Sequence, residues 1–241
     1  MKDNYKNILC FLAIFLFLSC NDKDHQTEIN QITKIAFGSC SSEQHELPIF
    51  NNIVKHKPDL FIFLGDNIYG DTENMDTLKA KYKKLADKPT YQNLKNNVPI
   101  IATWDDHDYG WNDSGKNYAF KDQSKDIFLD FFEEPDSSSR RKHPGVYHSY
   151  DYKVGKNKLQ IILLDSRTFR DSLKSYNGEF DQDWRFEFYQ KDYAPHTDLD
   201  AGLLGEEQWL WLEKELQKPA DIRLIGSGTQ FGIEWNGYEA W

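Results

Sequence analysis

Two short apolar runs end abruptly in residues suited to holding metals. Phe61-Ile62-Phe63-Leu64 leads into Gly65-Asp66-Asn67-Ile68-Tyr69-Gly70-Asp71. Pro99-Ile100-Ile101-Ala102-Thr103 leads into Trp104-Asp105-Asp106-His107-Asp108. An α/β protein builds its site at the carboxyl ends of its strands. Neighbouring strands that end this way gather several carboxylates and an imidazole into one small volume. Like charges at such range repel, and a bound cation is the usual remedy. The pattern predicts metal-dependent hydrolysis. A third run, Ile35-Ala36-Phe37, ends in Gly38-Ser39-Cys40-Ser41-Ser42 and adds a thiol. Cys40 also reads as a buried, inert cysteine, which is common.

The elements that must position these groups follow from periodicity. Residues 32–39 read as a strand, 46–57 as a helix through Leu47, Phe50, Ile53 and Val54, and 60–64 as the next strand. That is a β-α-β unit with parallel strands and a right-handed crossover. Leu78, Tyr82 and Leu85 mark a second helix, and Tyr91 and Leu94 a third. Residues 99–103 form a strand and 120–133 an amphipathic helix. Residues 146–154 and 158–164 read as strands joined at Gly155-Lys156-Asn157, with Asp165 at the end of the second. Residues 166–203, with Asn177-Gly178 and Ala194-Pro195, lack apolar periodicity and read as a long functional connection. Residues 205–218 form a helix, and 222–225 a strand that runs into Gly226-Ser227-Gly228.

Composition bounds the rest. The 241 residues carry a net charge of −10, 15% aromatics and 8 prolines, which suits a packed globule. The acidic balance argues against a nucleic-acid surface. A phosphate substrate would need bound cations to supply a positive field. Residues 1–19 read as a signal. Lys2 and Lys6 precede the apolar run 8–18, which is too short to span a bilayer comfortably. The run ends at Leu18-Ser19-Cys20, and this resembles a lipoprotein signal with Cys20 as the lipidated first residue. An ordinary signal peptide cut nearby is the other reading. Residues 20–31 read as a tether and 32–241 as one domain. The expected location is the outer membrane or cell surface, held by the lipid anchor. Oligomeric state is not readable.

Five motifs in order resemble the PhoD-type (alkaline phosphatase D) metallophosphatases of the calcineurin-like superfamily. They are Phe37-Gly38-Ser39-Cys40, Gly65-Asp66-Asn67-Ile68-Tyr69, Trp104-Asp105-Asp106-His107-Asp108, Leu164-Asp165-Ser166-Arg167-Thr168-Phe169-Arg170 and Leu204-Gly205-Glu206-Glu207-Gln208-Trp209-Leu210. The resemblance implies an α/β fold, a calcineurin-like two-sheet sandwich flanked by helices. It implies hydrolysis of phosphate monoesters or diesters with iron and calcium, other divalent metals being alternatives. Cys40, Asp66 and Tyr69 would hold ferric iron, with Asp66 bridging to a second metal. Asp106 or Asn112 would serve calcium, which prefers oxygen ligands; Asp105 competes for the same role. His107 would protonate the leaving oxygen. Arg167 would clamp a phosphate oxygen, or else pair with the excess acids.

The family closes its second metal site with a late Gly-Asp-x-His strand end, and none follows Gln230. The expectation is a C-terminally truncated chain with an incomplete second sheet. The rival function is a non-catalytic surface lipoprotein that binds a phosphorylated ligand or metal. A glycosidase using Asp66 and Asp106 would explain neither Cys40 nor Tyr69.

Overall fold

The computed structural model describes residues 31–176, 193–194, 196–198, 200–232 and 239. The signal, Cys20, nearly all of the tether and Asn177-Gly178 lie outside the described residues. Strands β1 (Ile35–Gly38), β2 (Leu60–Leu64) and β3 (Ile100–Thr103) form a parallel sheet in that order. Helix α1 (Pro48–Lys55) crosses from β1 to β2. Helices α2 (Met75–Ala86) and α3 (Pro89–Asn97) lie between β2 and β3 in sequence. Helix α4 (Asp106–Tyr109) is a single turn, and α5 (Lys121–Phe131) follows it. The second sheet has the order β4-β5-β8: β4 (His148–Val154) is antiparallel to β5 (Asn157–Leu163), and β8 (Ile222–Gly226) is parallel to β5. Strands β6 (Lys174–Ser175) and β7 (Tyr193–Ala194) pair antiparallel, and α6 spans Gly205–Gln217.

Side-chain alternation explains the layers. In β2, Leu60 and Ile62 face the second sheet and join Ile32, Ile101, Leu159, Ile161 and Leu163 in one core. Phe61 and Phe63 face the other way and pack with Phe50, Leu78, Tyr82, Tyr91 and Leu94 of the helices. Ile162 of β5 turns outward onto Leu204 and Leu212 beside α6. Each strand buried on both faces reads as an unbroken apolar run. Burying one such side chain contributes roughly 1.5–3 kcal/mol. Rings of Phe61 and Phe63 meet edge-on at 4.7 Å, and Phe50 and Phe63 at 5.8 Å.

Some predicted boundaries shift for local reasons. The first strand starts at Ile35 rather than residue 32. The Ile32 amide donates to the Lys153 carbonyl, and the Asp59 carboxylate takes the amides of Thr33 and Lys34. Strand β4 starts at His148 because the Val146 amide donates to Asp165 at 2.9 Å. The connection expected to be irregular contains the β6–β7 pair.

Candidate metal centre

Four strand ends converge. The Cys40 amide donates to the Gly65 carbonyl, and the Ser41 amide to the Asp66 carbonyl. The Asn67 side-chain amide donates to the Thr103 carbonyl at 3.0 Å. The Thr103 hydroxyl donates to the Leu164 carbonyl at 2.8 Å, which joins the two sheets. Gly65 lets β2 and β3 close up: its φ is +112°, and a Cβ there would lie 2.5 Å from Cβ of Asp105. Cys40, Asp66 and Asp71 have left-handed backbones with φ of 59°, 49° and 41°. Such conformations are uncommon outside glycine and concentrate at functional sites.

The loops aim their side chains together. Ligand atoms of Asp66, Asp106 and His107 lie within 4.8 Å of one another. Cys40 Sγ lies 3.6 Å from Asp66 Oδ2. The Tyr69 ring sits 4.3 Å, centroid to centroid, from the His107 imidazole. Burial and then Asp106 raise the Asp66 carboxyl from 3.8 to about 6. Cys40 is exposed rather than buried and inert, yet partial desolvation lifts its thiol, and burial lifts the Tyr69 phenol, above their ordinary values. Asp66 Oδ1 is buried without a hydrogen-bond partner. A buried acceptor left alone costs about 1–3 kcal/mol. A cation at Asp66 would satisfy that oxygen and reverse all three shifts, so this donor set fits a metal. Thiolate and phenolate suit a strong Lewis acid such as ferric iron.

His107 has its own partner, Asp71, at the end of the loop after β2, where no spacing marks it as a site residue. Asp71 Oδ1 lies 2.8 Å from His107 Nδ1 and also accepts the Asn112 amide. Burial alone would lower the imidazole pKa. The hydrogen bond to Asp71 and the charges of Asp106 and Asp66 outweigh burial and hold it above the ordinary value. With Nδ1 engaged by Asp71, Nε2 is left for proton transfer.

Other expected residues sit differently. The Asn112 side chain is exposed and donates to Asp113 at 2.7 Å, while its backbone amide donates to Asp71 beside His107. Asp106 Oδ2 accepts the Asp113 amide at 2.7 Å. Arg167 is fully buried and wrapped in carboxylates. Its Nε donates to Asp105 at 2.6 Å and its Nη1 to Glu239 at 2.8 Å; Nη2 also meets Glu239 and lies 3.5 Å from Asp106. Asp105, Asp106 and Glu239 form a second group of closely spaced carboxylates, and Arg167 is its cation.

Further residues were not legible as site residues. Glu43 is buried and accepts the Tyr69 amide at 3.0 Å, while Lys81 donates to the carbonyls of Tyr69 and Gly70. Together they grip the backbone that carries the phenol. Asp108 is fully buried and accepts the amides of Asn67 and Asp105. No sequence spacing marks Glu43, since its role depends on how the turn after Cys40 folds back.

Comparisons with known proteins bear on the fold and the family. The structure is similar to a solved structure of PhoD, with a TM-score of 0.61 at 18% identity, over 86% of this chain and 42% of that one. It is also 30% identical over 83 residues to the "Probable inactive purple acid phosphatase 14" of Arabidopsis thaliana, covering 34% of this chain and 20% of that protein. The chain thus spans less than half the length of either. The family model of the PhoD-like phosphatases matches residues 35–239, nearly the whole of the described fold, and the chain belongs to that family.

Proposed function

We propose that the chain is a metal-dependent phosphoesterase acting on phosphate monoesters or diesters outside the cytoplasm. The observation that carries this is the meeting of Asp66, Asp106 and His107 at the strand ends, with Asp66 Oδ1 unsatisfied. Cys40, Asp66 and Tyr69 would hold iron, and Asp106 would face calcium or another divalent metal. The metals supply positive charge against which a phosphoryl group can be oriented and its developing charge offset. His107 carries a proton on Nε2 toward the leaving oxygen. Asp71 fixes the ring, and its hydrogen bond helps hold the imidazole above its ordinary basicity. Asp71 is a positioning residue, because it acts through His107.

The test is colour together with turnover. Iron-loaded protein is expected to show a visible charge-transfer band and to hydrolyse p-nitrophenyl phosphate or its bis-ester. Tyr69→Phe and Cys40→Ser should each weaken or shift that band. Unchanged absorption and iron content in both variants would reject this ligand assignment.

Membrane attachment through Cys20 is part of the same proposal. Among the described residues no helix is long and apolar enough to cross a membrane. Mass spectrometry of the membrane fraction should find Cys20 diacylated and residues 1–19 removed. An unmodified Cys20, or a mature start elsewhere, would reject the anchor. A non-catalytic binding protein is the second reading. The observation that favours it is Arg167, whose guanidinium is taken up by carboxylates.

A further inference from the structure

We propose that Glu239 occupies the seat of the substrate's phosphoryl group, so that a phosphate oxyanion binds Arg167 by displacing this carboxylate. The inference rests on the phosphoesterase reading and deepens it. The two oxygens of Glu239 meet Nη1 and Nη2 of Arg167 as a fork. A phosphate presents a pair of oxygens to the same fork. The seat is in the right place. Oxygens of Asp105, Asp106 and Glu239 lie within 4.8 Å of one another, and Asp106 also belongs to the cluster with Asp66 and His107. An anion in place of Glu239 would therefore lie between Arg167 and the metal ligands.

Two features mark Glu239 as an occupant rather than a required counter-ion. First, Arg167 already has a buried partner, because its Nε donates to Asp105. Losing Glu239 would not leave the guanidinium unpaired. Second, a further guanidinium borders the seat. Nη1 of Arg170, which donates to the Asp171 carbonyl, lies 3.7 Å from Glu239 Oε2, and Nε of the same group is buried with no hydrogen-bond partner. A carboxylate brings two oxygens, whereas phosphate brings four and offers acceptors to both arginines. In the free protein Glu239 competes as a tethered anion, so the apparent affinity for phosphate falls by the fraction of time the seat is taken.

The experiment titrates inorganic phosphate into the metal-loaded full chain by calorimetry. Glu239→Gln keeps the shape and removes the charge; Glu239→Ala removes both. Each is expected to bind phosphate about tenfold more tightly than wild type, as a seat nine-tenths taken would give. Adding Arg167→Ala to Glu239→Gln should abolish that gain. Equal or weaker binding by the Glu239 variants would overturn the proposal and make Glu239 a structural partner of Arg167. If Glu239→Ala does not fold, Glu239→Gln decides alone. Hydrolysis of p-nitrophenyl phosphate by the same preparations separates the two readings. Turnover without a gain in phosphate affinity overturns this proposal and spares the enzyme. A gain without turnover supports the seat and rejects the enzyme.

Discussion

Asp66→Asn is expected to abolish metal binding and hydrolysis, and yet to stabilise the metal-free protein at alkaline pH. Losing groups that merely support a metal ligand commonly costs 10–100-fold, so losing Asp66 itself should cost about a thousandfold or more in turnover. The stability effect has the opposite sign. The folded carboxyl has its pKa raised from 3.8 to about 6 by burial and by Asp106. The metal-free folded state therefore holds this proton more tightly than the unfolded chain does. That contribution is fully present below about pH 4 and is lost as pH rises through about 6. At pH 8 the ionised Asp66 destabilises the metal-free fold by roughly 1–2 kcal/mol, after allowing for partial solvent screening. Asparagine is neutral and tolerates the φ of 49° found here. In chelator, the variant should melt above wild type at pH 8, and the gap should close by pH 4. A variant that still binds metal, or melts below wild type at pH 8, would contradict this account.

The sequence made the strands, their parallel order and the clustering of Asp66, Asp106 and His107 legible, because each depends on local pattern. An apolar run buried on both faces has to end where charged residues begin, and those ends lie side by side in a parallel sheet. Residues defined by long-range contact were not legible. Glu43 meets Tyr69 only after the turn beyond Cys40 folds under the second loop. Asp71 reaches His107 across 36 residues, and Glu239 reaches Arg167 across 72. Arg167 shows the limit most plainly. Its type suits phosphate and salt bridges equally, and only its placement among Asp105, Asp106 and Glu239 shows which partners it has. Asn112 is not defined by such a tie: its side chain is exposed and donates to Asp113, whose φ is 59°.

Removing Asp108 should cost more stability than removing Asp66, Asp106 or His107 of the cluster. Its carboxylate is fully buried, yet no cation pairs with it among the described residues. Instead it accepts the Asn67 amide at 3.1 Å, the Asn67 side-chain amide, and the Asp105 amide at 2.7 Å. Asn67 follows Asp66, and Asp105 precedes Asp106. One carboxylate thus spans the two loops that carry the cluster and sets their separation. Burial and then Asp66 raise its pKa well above the ordinary range, and the amides of Asp105 and Asn67 offset part of that rise. Asp108→Ala strands three donors in the interior. Each unsatisfied donor costs about 1–3 kcal/mol, and partial relaxation brings the expected total to roughly 3–5 kcal/mol. Asp108→Asn keeps the shape but turns an amide group toward donors, so it should recover only part of that loss. Urea unfolding of the chelated protein measures the first effect. Iron titration measures the second, a 10–100-fold weaker affinity as the loops lose their spacing. A double-mutant cycle with Asn67→Ala should give a coupling of about 1–3 kcal/mol, because the two side chains act as one tie. If Asp108→Ala unfolds at the wild-type urea concentration and binds iron unchanged, the two loops must be held by the strands alone.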